Sequence, residues 1–262
     1  MSNLAFTKAT KKALKARIAI EGPSGSGKTY TGLVTARALV GDGTVALIDT
    51  ERRSASLYAD RFDFDTLELD SYNPQLLIDA LAAAGAAGYD AVVVDSLSHF
   101  WMGADGMLEQ VDRAARRSGG GNSFAGWKEM RPVERRMIDA MLAYPGHLLA
   151  TLRVKTDYVV EQNERGKSVP KKVGLRAEQR EGLEYEFTLV ASMDLENTLI
   201  VSKSRCPELA GAVIPRPDEN FGLTLGAWLD SGETDGMSAV QMRDAILEAE
   251  GQGALTLDDY RA

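Results

Sequence analysis

One cysteine stands in 262 residues, Cys206, so no internal disulfide can be drawn and the fold rests on its apolar core. Histidine is nearly as scarce. His99 and His147 stand apart, without the neighbours a metal site needs, and Cys206 has no histidine beside it, which supports neither a zinc centre nor a cysteine nucleophile. No segment approaches the roughly eighteen uninterrupted apolar residues of a membrane span. The amino-terminal run MSNLAFTKATKKALKARIAI has lysines but no apolar stretch of signal length, so the expected location is the cytoplasm, with no membrane partner. Positive charge is also in deficit: 30 Lys and Arg against 38 Asp and Glu leave a net charge of −8, which excludes a protein that coats DNA by bulk charge alone but leaves room for a local basic surface.

Apolar residues, by contrast, are sufficient at 44% for a sizeable core, and the length suits one α/β domain with a tail. KARIAI (residues 15–20) reads as a short buried strand, followed by a glycine-rich turn and the helical spacing of TYTGLVTARALV. TVALID and FDTLEL are further strands, and Asn73-Pro74 opens a helix through QLLIDALAAAGAAG. AVVVD (residues 91–95) is an uninterrupted run of the kind found in a central parallel strand covered on both faces. Residues 103–143 read as two helical patches around SGGGN, with Pro132 starting or kinking the second. HLLAT is a strand, DYVVEQNERGKSVPKKVG an exposed hairpin or mobile loop, and LEYEFTLVASMD and NTLIVSKSR two more strands. Alternating strands and helices in the first half imply a mainly parallel sheet, and the strand-rich second half an antiparallel extension. The expected division is a core at residues 1–229 and a polar tail at 230–262 with one helix at 238–250.

The string Gly22-Pro23-Ser24-Gly25-Ser26-Gly27-Lys28-Thr29 has a mechanical reason at each fixed position. Glycines let backbone N–H groups wrap phosphates, lysine reaches the β and γ oxygens, and the threonine hydroxyl ligates Mg²⁺. It follows a strand and opens a helix, as a phosphate loop must, whereas a plain glycine turn has no need of Lys28 and Thr29. Asp95 ends AVVVD where a carboxylate can hold Mg²⁺ through water, or can cap the next helix. Glu51 follows the strand VALID at the carboxyl end of a parallel sheet, within reach of a γ-phosphate, and could deprotonate the attacking water; Asp49 is the rival carboxylate.

The stretch ALIDTERRSASLYAD resembles the equivalent part of RecA-family recombinases, where an acidic strand end precedes a catalytic glutamate and a tyrosine follows: here Asp49, Glu51 and Tyr58. The Gly-Pro start of the loop and VVVDSLSHF, with Asp95-Ser96, resemble the same family. The resemblance implies a RecA-like P-loop NTPase core, an α/β fold with a mainly parallel central sheet, helices on both faces and an antiparallel extension. It also implies ATP and Mg²⁺ as cofactors, with Tyr58 stacking on adenine and Tyr30 nearby, although aromatics at this spacing also serve as core. HLLATLRVK is similar to the strand entering the second DNA-binding loop, where a polar residue senses the γ-phosphate. Thr151 holds that place in a position where the family commonly has glutamine or asparagine, and Arg153 and Lys155 follow. VSKSRCPELAG resembles the K-x-R pattern of RadA, hexameric-helicase and KaiC relatives, in which both cations reach a neighbour's phosphate. Lys203 and Arg205 would share a strand face in that role, or simply charge a strand edge.

More narrowly, NSFAGWKEMRPVERRMIDAML, ATLRVKTDY and GLEYEFTLVASMD are similar to phage-encoded RecA-like ATPases of the single-strand annealing (Sak) group, over roughly residues 15 to 228. Those proteins are little more than the ATPase core. The resemblance implies a homo-oligomer, ring or filament, with ATP between subunits, single-stranded DNA as ligand, and a single-strand DNA-binding protein as a candidate partner. Basic clusters fit that expectation: Arg113, Arg116 and Arg117; Arg131, Arg135 and Arg136; and Lys155, Arg165, Lys167, Lys171, Lys172, Arg176 and Arg180. Phe124 and Trp127 could stack on bases. Arginines interleaved with glutamates also solvate ordinary helix faces, and the two aromatics could be core, so a nucleotide-driven protein-assembly switch or loader without DNA contact is the alternative.

Overall fold

The computed structural model describes residues 6, 11, 14–118, 122–162 and 168–231, with side chains throughout except at 156–162 and 168–175. The chain divides into two compact units, Lys15–Ala227 and a second made of Met1–Leu14 with Trp228–Ala262. In the second unit, Lys11 donates to the Trp228 carbonyl and to Ser231 Oγ (2.9 Å), and its ammonium lies 3.8 Å from the centre of the Trp228 ring. The helix expected at 238–250 lies outside the described residues.

In chain order the elements are β1 (Arg17–Gly22), α1 (Lys28–Val40), β2 (Val45–Asp49), β3 (Asp65–Glu68), α2 (Pro74–Ala87), β4 (Ala91–Asp95), α3 (Leu97–Met102), α4 (Met107–Arg117), α5 (Ser123–Ala143), β5 (His147–Gln162), β6 (Ser168–Ala177), β7 (Leu189–Met193), β8 (Thr198–Ser204), β9 (Val213–Pro215) and α6 (Glu219–Asp230). Among the described residues, nine strands form a sheet in the order β3-β2-β4-β5-β1-β7-β8-β9, with β6 added to the long β5. The run from β3 to β7 is parallel, while β8, β9 and β6 pair antiparallel. This is the expected α/β P-loop NTPase core with an antiparallel extension.

The period-two alternation of the central strands decides the layers. Val92 and Val94, with Leu148, Ala150 and Ala19, pack against Leu77 and Leu81 of α2 and Met137 and Met141 of α5. On the other face Gly32 of α1 lies against Val93, where a Cβ would stand 3.4 Å from Val93 Cγ1. Helices on both faces account for the fully buried β4.

Local differences from the sequence reading have local causes. Helix α5 runs through Pro132, beginning at Ser123 rather than at the proline. Asn122 caps it by accepting from Phe124 N–H (2.9 Å), and Gly126 brings it so close to α4 that a Cβ would meet the Val111 carbonyl oxygen at 2.2 Å, so packing offsets the missing proline N–H. The strand expected across LEYEFTLVASMD begins only at Leu189. Before it, left-handed Gly182 (φ 88°) and a 3₁₀ turn at Leu183–Tyr185 leave carbonyls turned toward Lys203, which gathers those of Glu184, Tyr185 and Phe187 at 2.8 Å each. The segment read as hairpin or loop is a hairpin, β5 with β6, its register shifting between Asp157 and Tyr158.

At the amino end of β5 sits a titratable joint. His147, buried, accepts the Ala16 N–H at Nδ1 (3.1 Å), and burial, with Lys15 and Arg17 beside it and Asp90 opposing, pushes its pKa down to about 4. The folded imidazole is therefore neutral, and unfolding below pH 6.5 takes up a proton. Stability from this group is full above that pH and falls as pH drops toward 4, by about 3 kcal/mol at the lower limit. Denaturant unfolding between pH 7.5 and 4.5 is expected to show that decline, and His147→Asn, which keeps an acceptor, to flatten it; parallel pH profiles for the two chains would reject the assignment.

Candidate active site

The parallel register brings the carboxyl ends of β1, β2 and β4 beside the middle of the longer β5. Gly22 pairs with Arg153 across β1 and β5, and Asp49 with Asp95 across β2 and β4. Chain termini of parallel strands are where α/β sheets open a crevice, and here the crevice is a cleft of about 420 Å³ lined by Gly22, Ser24, Gly25, Gly27, Lys28, Thr29, Glu51, Tyr58, Asp95, Arg153, Val154 and Glu178. It contains most of the residues anticipated for the nucleotide site.

The loop backbone requires its glycines. Gly25 and Gly27 stand at φ 82° and 89°, and a Cβ on Gly22 would lie 2.7 Å from both the Met193 carbonyl oxygen and Ser26 Oγ. Pro23 precedes the turn, and Ser26 is buried. Lys28 Nζ donates to the Pro23 carbonyl (2.8 Å), folding across the loop. Burial lowers the lysine pKa, and the Asp95 and Glu51 charges oppose that shift.

Asp95 is the centre of the polar network. Its Oδ2 accepts from Thr29 Oγ1 at 2.6 Å, and its Oδ1 accepts from Thr151 Oγ1. Burial raises its pKa, while the two hydroxyl bonds pull it back. The peptide between Asp95 and Ser96 is cis. Hard oxygens from Thr29 and Asp95, side by side at the mouth of a phosphate loop, suit Mg²⁺, which keeps several of its waters and takes few protein ligands. No group of three or more His, Cys, Asp or Glu among the described residues forms a separate metal site.

Glu51 and Asp49 separate clearly. Asp49 is buried and its Oδ1 accepts the Glu51 N–H at 2.6 Å, so it shapes the turn; burial raises its pKa. Glu51 reaches the cleft, where Oε1 accepts from Arg153 Nε (3.1 Å) and Nη2 (2.9 Å). Behind it, Thr50 bridges strands: its Oγ1 accepts the Ser96 N–H (2.7 Å) and lies within hydrogen-bond distance of the Asp95 carbonyl (3.0 Å) and of His99 Nδ1 (2.7 Å). Tyr72 stacks on His99 at 4.8 Å, and burial lowers the histidine pKa.

Tyr58 belongs also to an adjoining cleft of about 460 Å³ with Gly25, Gly27, Tyr30, Thr31, Met193, Asn197, Arg216, Pro217 and Asp218. Tyr30 meets Tyr58 edge-on at 5.9 Å and Phe62 at 5.3 Å. An aromatic wall beside a phosphate loop suits a nucleobase. Asn197, Arg216 and Pro217 had no signal in the sequence, because they arrive from the β7–β8 turn and the segment after β9.

The other anticipated residues lie apart from the cleft lining. Arg205 is exposed just beyond β8. Lys203 is occupied by its three carbonyls, its pKa lowered by burial and by Arg205. Arg113 pairs with Asp105 (2.5 Å) and Glu109 (2.7 Å), Arg117 with Glu129 (2.7 Å), and Arg116 is exposed. Lys155 is exposed at the base of the hairpin. Lys167 lies outside the described residues, as do the side chains of Lys171 and Lys172. Phe124 is exposed, whereas Trp127 packs on Trp101 at 5.7 Å beside the α4–α5 core. No helix among the described residues is long and apolar enough to cross a membrane.

No curated protein matches the sequence. The model of a family described as an AAA domain (AAA_24) matches residues 14–210, more than half of the chain and all of the phosphate loop, β2, β4 and β5. The chain belongs to that AAA domain family, and its core is a P-loop ATPase domain.

Proposed function

We propose that this ATPase is a Mg²⁺-dependent, RecA-like enzyme of the phage single-strand annealing type, which binds single-stranded DNA and promotes annealing or recombination as a homo-oligomer. The ATPase reading is carried by Asp95, its carboxylate divided between Thr29 and Thr151 with Glu51 across the same cleft. Loop amides and Lys28 hold the β and γ oxygens. A water oxygen bonds to the γ-phosphorus, the bond to the bridging oxygen breaks, the water proton passes to Glu51, and ADP and phosphate leave. Thr29 and Asp95 would hold Mg²⁺, which would supply charge neutralisation at the phosphate oxygens.

The hairpin supports DNA binding. It continues directly from Thr151, and at its base Lys155 stands opposite Arg176 in the ladder. Arg176 is paired with the exposed Glu181 (3.1 Å), so a polyanion at the hairpin base would meet the exposed Lys155 and compete with Glu181 for Arg176. Lys171 and Lys172 pair farther along with Val159 and Tyr158. A second reading, a protein-assembly switch or loader without DNA contact, is favoured by one observation: Arg113 and Arg117 of α4 are engaged by carboxylates of their own chain.

For the oligomer, Arg205 is the cation we assign to a neighbour's phosphate. Lys203 would first have to release three carbonyls to join it.

Filter binding of a labelled oligonucleotide at moderate salt, with ATP analogue and Mg²⁺, tests the DNA role. Retention that falls with rising salt is expected. No retention would remove DNA and leave the switch.

A further inference from the structure

We propose that Arg153 is a further catalytic residue of this ATPase, a cation in cis that binds the γ-phosphate while still holding Glu51. The inference rests on the reading of the cleft as an ATP-hydrolysing site and adds to it a residue that neither the phosphate loop nor the subunit neighbour supplies.

The argument begins with charge. A catalytic carboxylate beside a γ-phosphate is repelled by it, and that repulsion is strong where water is thinned out. Asp95 and Glu178 add two further carboxylates on the same cleft. Against these the phosphate loop sets one side-chain cation, Lys28. Among the described residues Arg153 is the other cation lining the cleft, and it is already placed on Glu51 through Nε and Nη2, both donating to Oε1. A guanidinium has five N–H donors in a planar fork, and these contacts use two of them, so a second oxyanion can be held at the same time. Its field already reaches the loop, where it acts to lower the Lys28 pKa.

The backbone of Arg153 is pinned while its side chain is exposed. Its N–H donates to Ser98 Oγ of α3 (2.9 Å), and its carbonyl accepts the Glu178 N–H (2.7 Å) where the β6 strand leaves the hairpin. The register to Gly22 fixes its height at the first residue of the phosphate loop. Its side chain is 45% exposed and lines the cleft, so the guanidinium is open to a ligand there. Bridging Glu51 and the γ-phosphate, it offsets the repulsion between them and stabilises charge on the transferred phosphoryl group, the task of an arginine finger supplied by the same chain.

The test compares ADP with a non-hydrolysable ATP analogue, because the contact exists only at the γ-phosphate. For Arg153→Ala, analogue affinity is expected to fall about tenfold or more and ADP affinity to change less than about twofold, while kcat falls roughly 10²-fold. Arg153→Lys, which keeps the charge but not the fork, is expected to recover part of the analogue affinity. Repeating Arg153→Ala in a Glu51→Gln background separates contact from positioning: analogue affinity must still fall. If it does not, Arg153 acts only through Glu51 and the proposal is overturned, as it is if ADP and analogue weaken equally. Should the alanine variant not fold, Arg153→Gln gives the same comparison. Affinity is read without turnover, so a wild-type chain that binds the analogue but does not hydrolyse it still tests Arg153. A wild type that binds neither nucleotide overturns the ATPase reading and this one with it.

Discussion

Glu51→Gln is expected to bind ATP and Mg²⁺ about as well as the wild type and to lose turnover by about 10²- to 10⁴-fold, the usual worth of a positioned general base. The substitution keeps the shape of the side chain and leaves an amide oxygen to accept from Arg153, so the turn after β2 is not disturbed. What it removes is the charge and the basicity. The phosphate contacts expected from the loop backbone, Lys28 and the Thr29–Asp95 pair do not pass through Glu51, and the amide oxygen still holds Arg153, the one proposed phosphate ligand that bonds to it. Analogue binding by the variant, set beside single-turnover hydrolysis, measures the two quantities separately. Hydrolysis within tenfold of the wild type would place the base elsewhere. Asp49 is then the poorer substitute than the sequence alone suggests, because it is buried and its Oδ1 is spent on the Glu51 N–H.

The part of this site that could be read in the sequence is the part made by contiguous residues. The phosphate loop is a short string whose glycines answer a local backbone demand, and Gly25 and Gly27 do take left-handed angles. Asp95 was visible because a β-branched run ends on it, and that run is β4, the strand buried on both faces. The alternation of strands and helices gave the parallel sheet for the same reason: it is a statement about neighbours in the chain. Contacts made by register had no such trace. Arg153 meets Glu51 across 102 residues, and nothing in LRVK distinguishes it from a solvated arginine. Arg52 and Arg53 leave β2 with φ of 54° and 68°, a conformation that composition would assign to glycine or asparagine. In the same way the K-x-R pattern placed two cations on one strand face, whereas the ladder shifts register between Val190 and Ala191 opposite Lys203, and the lysine turns to carbonyls of its own chain.

That displacement of Lys203 puts the weight of a shared site on Arg205, and it sharpens the second large prediction. If Arg205 completes a neighbour's site, Arg205→Ala folds, binds nucleotide and assembles, yet loses hydrolysis by about 10³-fold, the lower range for an arginine finger. Arg205 is exposed and lies outside the cleft lining of its own chain, so a loss of that size cannot arise from its own cleft. Mixing Glu51→Gln with Arg205→Ala chains exploits this. Each is inactive alone, but an interface that takes Glu51 from the arginine variant and Arg205 from the glutamine variant is whole, and random mixing in equal amounts makes about a quarter of the interfaces of this kind in a head-to-tail assembly. Activity near that fraction of the wild type is the expected result, and it should rise from zero only after subunits have had time to exchange. An inactive mixture, under conditions where native mass spectrometry shows both chains in one oligomer, would confine catalysis to a single chain and leave Arg153 as the cation that must supply the charge.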